Sequence, residues 1–225
     1  AGSCRDYFLG SNSGMEKSGS TYDNNLRRVF HFLTISISGL IYGLGSWTWE
    51  RTAPVLSIIT VSVILMDLIR IHISPLNNFV QKYLSFILRK HEFHTLSGSS
   101  WFLLGGIINL ALFPKAICVF GFLCLAVGDP LASYVGIAAT GGQKIGQKTW
   151  YGCWAFFLMT SLVGGLWLLQ SYPPHLAFTT AIIGSLGAAV TERVLTSDVD
   201  DNIAIPLVAN GLAMVWLNIV TRFGF

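Results

Sequence analysis

Asp129 stands in GDPLASYVG, residues 128–136, at the end of the long apolar run ICVFGFLCLAVG. An ionisable side chain at such a depth marks a functional position by default. Gly128, Ala132, Ser133 and Gly136 around it are small, which lets a ligand or a neighbouring helix approach the backbone closely. Pro130 removes a backbone donor and is expected to break the helix there, and Asp129 could equally serve as a helix cap at that break. The next loop, TGGQKIGQKTWYG, combines Gly141, Gly142 and Gly146 with Lys144, Lys148 and Thr149, the composition of a backbone cradle with cations for phosphate. It misses the P-loop pattern because Gln147 intervenes before Lys148-Thr149, and it joins two apolar spans where a P-loop needs a strand and a helix. SDVDDNIAIPL crowds Asp198, Asp200, Asp201 and Asn202 into five positions, hard oxygen donors suited to Mg²⁺; an acidic turn capping the last span is the plainer alternative. Glu192 is expected on the same membrane face as these acids and the lysine loop.

Two further stretches carry charge. In RKHEFHTLSG, Arg89 and Glu92 are three apart and would share a helical face, as an ion pair or as part of a site. His91 and His94 have the same spacing without a third ligand nearby, so no metal site is read there. LRRVFH places Arg27, Arg28 and His31 at the entrance of the first apolar run, where arginines anchor orientation, and MDLIR pairs Asp67 with Arg70 near the end of the second.

The elements that must position these groups are membrane helices. The chain of 225 residues is 52% hydrophobic and 11% charged, with a mean hydropathy of +0.60, well away from a soluble globular balance. Apolar stretches of the roughly 20 residues a bilayer requires recur at about 29–48, 53–72, 97–113, 116–138, 152–170, 175–194 and 203–221. The fold class expected is therefore an all-α, polytopic integral membrane protein with about seven transmembrane helices, six to eight being the range. Residues 1–26 read as a flexible polar tail without the compact apolar core of a signal peptide, and 27–225 as one transmembrane catalytic domain. Cys4, Cys118, Cys124 and Cys153 are scattered without a CxxC pair, so neither a disulfide framework nor a zinc site follows.

With an N-terminus inside and seven spans, all of the 14 Lys and Arg residues except Arg51, Lys115 and Arg222 fall on one side, the asymmetry of cytoplasmic loops. The acids gather there too: of 11 Asp and Glu residues only Glu50 lies on the far side. Mixed charge at one face, drawn from separate parts of the chain, fits a polyanion that arrives with a metal ion. One-sided acids also argue against a transport path across the whole bilayer.

Taken in order, RRVFH at 27–31, DLIR at 67–70, LRKHEFHTLSGSSWFLLG at 88–105, GDPLASYVG at 128–136, KTWYG at 148–152 and DDNIAIPL at 200–207 resemble the CTP-dependent lipid kinases: dolichol or polyprenol kinase, CTP-using diacylglycerol kinase and phytol kinase. The resemblance covers about residues 26–221. It implies phosphoryl transfer from CTP to the hydroxyl of a membrane lipid alcohol, diacylglycerol ahead of polyprenol or dolichol, with Mg²⁺ or another divalent cation, and no nucleic-acid partner. By that likeness Arg27, Arg28, Asp129 and Gly136 handle nucleotide. Lys144, Lys148, Arg89, Thr149 and Asn202 would neutralise or hold phosphates; Asp129, Asp198, Asp200 and Asp201 would hold the metal; Asp129 or Asp201 would accept the hydroxyl proton; His31, Glu92 and Glu192 are further candidates. Ile137 and Tyr151 depart from the family, which often has Arg and Glu there. Phosphatidate cytidylyltransferases share a similar layout of the GD and KT segments and form the alternative. The expected location is a multi-pass membrane protein with its site facing the cytoplasm, in the endoplasmic reticulum if eukaryotic or the inner membrane if bacterial.

Overall fold

The computed structural model describes residues 29–30, 32–83, 88, 90–139, 148–194 and 199–223, and these are helical throughout apart from short connections, with no strand among them. In chain order the helices are α1 (Phe32–Leu44), α2 (Trp49–His72), α3 (Ser74–Tyr83), a 3₁₀ turn (Lys90–His94), α4 (Gly98–Leu112), α5 (Lys115–Leu123), a π turn (Cys124–Gly128), α6 (Asp129–Ala139), α7 (Trp150–Leu168), α8 (Pro174–Val194) and α9 (Asp201–Phe223). Hydrocarbon offers no partner to a backbone amide, so a chain this apolar satisfies its peptide groups inside helices.

Five helical stretches are long and apolar enough to cross a bilayer: α2, the continuous run Lys115–Ala139 formed by α5, the π turn and α6, then α7, α8 and α9. The protein is a polytopic membrane protein. The first and third of the seven expected spans correspond to the shorter apolar helices α1 and α4. At about 1.5 Å per residue, the 15 residues of α4 fall short of a full crossing.

Small residues decide how the bundle closes. Phe120 of α5, fully buried, seats between Gly164 of α7 and Gly184 of α8, where an added Cβ would lie 2.4 Å and 2.5 Å from its ring. A Cβ at Gly184 would also meet the Ala209 carbonyl of α9 at 2.8 Å, so α8 and α9 touch backbone to backbone. Buried Ala177, Ala181, Ala188, Ala209 and Ala213 continue this close-packed seam. The outer side of α2 keeps Ile58, Leu65 and Met66 exposed, as lipid contact requires. Deep in the bundle Asn210 of α9 donates to Asn109 of α4 at 2.7 Å, a polar tie between two fully buried side chains.

Candidate functional site

Lys148 precedes α7, whose N-cap is Thr149. Its ammonium lies 3.2 Å from Glu192 Oε1 near the end of α8 and 3.3 Å from Asp201 Oδ2 at the start of α9. Asp129, the first residue of α6, acts electrostatically on both Lys148 and Glu192. Carboxylates from two helices thus contact one cation, and that of Asp129 from a third lies within electrostatic reach of it. The Glu192 side chain is 6% exposed and that of Lys148 35%, so the acid is sealed inside while the ammonium sits at the rim. Burial pulls the Lys148 pKa down, but the nearby charges of Asp201, Glu192 and Asp129 outweigh it and hold the group above the ordinary lysine value.

Local backbone explains how Asp129 and Lys148 come together. The chain does not break at Pro130, contrary to expectation: the π turn Cys124–Gly128 precedes it and the helix runs on through Asp129. The wider π turn accommodates the missing donor while keeping one continuous span. Gly128 packs flat against Phe156 of α7, with a Cβ there only 2.4 Å from the ring. Over the next two turns the α6–α7 contact tightens again. A Cβ at Gly136 would lie 2.8 Å from Thr149 Oγ1, and one at Gly152 would lie 2.6 Å from the Ala132 carbonyl. Thr149 itself accepts from the Gly152 amide at 3.1 Å, so it starts α7 and fills the space Gly136 leaves.

A second polar cluster adjoins the first across the start of α9. Asn202, buried, donates through Nδ2 to the Gly98 carbonyl at 3.2 Å, at the entrance of α4. The Gly98 position is flanked by both the Asn202 amide and the Glu92 carboxylate, which would lie 3.1 Å and 3.4 Å from a Cβ there. Glu92 is buried in the 3₁₀ turn; its expected partner Arg89 lies outside the described residues. That turn is anchored from α2. Asp67 accepts from Arg70 Nε at 2.8 Å, from the Ser97 amide at 2.7 Å and from Ser100 Oγ at 2.7 Å. Arg70 Nη2 then donates to the carbonyls of Glu92 at 2.9 Å and Thr95 at 3.0 Å. The Asp67–Arg70 pair read from MDLIR is therefore a clamp on residues 92–100 and, through them, on Glu92 and Asn202.

Of the residues singled out in the sequence, Lys148, Glu192 and Asp201 meet in one cluster with Asp129 within electrostatic reach, Thr149 and Gly136 lie beside it, and Asn202 and Glu92 stand in the adjoining one. Asp200 accepts the Asn202 amide at 2.9 Å through Oδ1, the turn role weighed for that acidic stretch. Arg27, Arg28, His31, Arg89, Lys144 and Asp198 lie outside the described residues. Among the described residues no group of three His, Cys, Asp or Glu side chains is arranged to hold a metal ion by itself. Sequence reasoning missed Arg193, whose Nη1 donates to the Lys148 carbonyl and whose guanidinium lies 4.1 Å from the Trp150 ring. It also passed over Ser97 and Ser100. Arg193 had one available signal, its place directly after Glu192 at the end of a span. The N-termini of α4, α7 and α9 all open at this end, and the positive ends of their helix dipoles favour an anion.

The chain is 30% identical over 190 residues to an uncharacterized protein of Rickettsia prowazekii, a match that takes in 80% of this chain and 88% of that one. It belongs to the same family as that protein. Distant relatives carry the name CTP-dependent diacylglycerol kinase 1. The one from Eremothecium gossypii is 31% identical over 110 residues, 49% of this chain and 34% of its own length. That from Saccharomyces cerevisiae is 25% identical over 219 residues, 87% of this chain and 73% of its own. These matches place the chain among relatives of CTP-dependent lipid kinases. No family model and no solved structure matches it.

Proposed function

We propose that this protein transfers the γ-phosphoryl group of CTP to the hydroxyl of a membrane lipid alcohol, with diacylglycerol the first candidate and polyprenol or dolichol the next. The observation that carries the reading is the convergence of Glu192 and Asp201 on Lys148, with Asp129 of a third helix within electrostatic reach, at the end of the bundle where α4, α7 and α9 begin. The names of the distant relatives supply the nucleotide and the lipid class.

Phosphoryl transfer asks a protein for placement and charge balance more than for covalent chemistry. The lipid oxygen attacks the γ-phosphorus, the bond from that phosphorus to the β–γ bridging oxygen breaks, and CDP departs with the electron pair. The hydroxyl proton passes to a carboxylate, Asp129 or Asp201. Lys148, at the rim, turns toward the phosphates, and the helix N-termini add their partial positive charge. The donor set fits a divalent cation of the kind that keeps waters and shares its shell with phosphate oxygens. Three carboxylates here share the single charge of Lys148, the Arg193 guanidinium being held on the Lys148 carbonyl, so added positive charge is needed before a triphosphate is welcome. Asp129 and Asp201 would hold Mg²⁺, which neutralises phosphate charge when bound. We assign this end to the cytoplasmic face.

The test is purified protein with Mg²⁺ and labelled CTP or ATP, offered diacylglycerol, polyprenol and phytol side by side. CDP and a lipid phosphate are expected. Pyrophosphate with a CDP-lipid would move the reading to a cytidylyltransferase, and solute transport without CTP turnover would overturn both.

A further inference from the structure

Glu192 and Arg193 are consecutive, yet they hold opposite ends of the same residue. Glu192 takes the Lys148 ammonium at 3.2 Å, while Arg193 donates through Nη1 to the Lys148 main-chain carbonyl. Arg193 is in turn held against the Trp150 ring at 4.1 Å, and Trp150 is the first residue of α7. A lysine side chain ordinarily ranges through many rotamers on a mobile stem. Here its backbone is tied to α8 by one residue and its tip by the next, so the last turn of α8 sets where the charge stands. The tie also reaches α6, because Thr149, the neighbour of Lys148, fills the space left by Gly136 and caps α7.

Building on the reading above, we infer that Arg193 is a positioning residue for the nucleotide: it acts through Lys148 and fixes the ammonium against the phosphates without touching them itself. Its chemistry is specific. A guanidinium presents a donor to a carbonyl while stacking flat on an indole, and a lysine at the same place keeps charge but loses the plane. Because Arg193 acts through Lys148 alone, its loss should be felt by the nucleotide and not by the lipid alcohol.

The test compares Arg193→Ala and Arg193→Lys with the parent protein in detergent and lipid. Arg193→Ala is expected to raise KM for CTP about tenfold, to change kcat less than twofold and to leave KM for the lipid alcohol unchanged, with Arg193→Lys between the two. Hydrogen exchange over residues 148–153 should rise in Arg193→Ala and remain as in the parent elsewhere in α7 and α8. Equal changes in both KM values, or a fall in Tm with exchange rising throughout α8, would make Arg193 a general packing residue and overturn the inference. If the parent turns over no CTP with any lipid alcohol, the kinase reading fails on its own. Exchange at 148–153 then still decides whether Arg193 holds Lys148, and unchanged exchange there defeats the tie.

Discussion

At the scale of the residue, the molecule turns on how charge is held beside oil. Lys148 is attractive to phosphate only while it stays protonated, and its surroundings guarantee that. With its folded pKa raised, the stability it contributes is fully present below the ordinary lysine value and is lost only as pH climbs through the higher folded one. CTP affinity should therefore stay flat between pH 7 and pH 9, measured by equilibrium binding at fixed free Mg²⁺. A fall across that interval would place another group in control. Replacing Lys148 with Met is expected to lower kcat/KM for CTP about 100-fold or more, the usual loss for one preorganised phosphate contact. Asp129→Asn should abolish turnover while the protein still assembles in the membrane, judged by gel filtration and Tm. An active Asp129→Asn protein would remove that carboxylate from the site.

At the scale of the element, two devices place the site. The first is the α6–α7 contact, where Gly152 meets a backbone oxygen of Ala132 that cannot swing aside. Gly152→Ala should destabilise by about 1–3 kcal/mol, as overpacking does, with a lower Tm and a matching loss of active protein. The second is the clamp of Asp67 on Arg70, Ser97 and Ser100. Removing one partner of a buried pair strands the other, so Asp67→Ala should cost about 3–5 kcal/mol, and protease sensitivity within residues 92–97 should appear first. The sequence made part of this legible: Asp67 and Arg70 stand three apart near a span end, a spacing that pairs on a helix. Nothing in MDLIR reveals that the pair also holds a segment some 25 residues away, because that contact depends on α2 and α4 packing side by side.

At the scale of the whole molecule, the ends of the bundle differ. Lys148, Glu192, Asp201 and Asn202 cluster at one end, while at the start of α5 Lys115 donates to the Gly45 carbonyl beyond α1 and faces the Tyr42 ring. The proposed orientation puts the first end in the cytoplasm. In a background without other reactive thiols, Ser171→Cys, in the α7–α8 connection, should label with an impermeant reagent on intact cells, and Val199→Cys only after permeabilisation. The reverse pattern would invert the orientation.

The hydropathy of the chain determined by itself that helices must carry it across a bilayer and roughly where each begins, because hydrocarbon leaves the backbone no other way to pair its polar groups. It also exposed Asp129, Lys148, Glu192 and Asp201 as candidates, since charge is conspicuous in so apolar a sequence. What only the tertiary structure decided is which of them meet. Glycine and alanine contacts between α6, α7, α8 and α9 set the helix separations, and those separations bring Glu192 and Asp201 within 3.3 Å of one ammonium. Such distances arise from packing between segments far apart in the chain, to which local composition and spacing are blind.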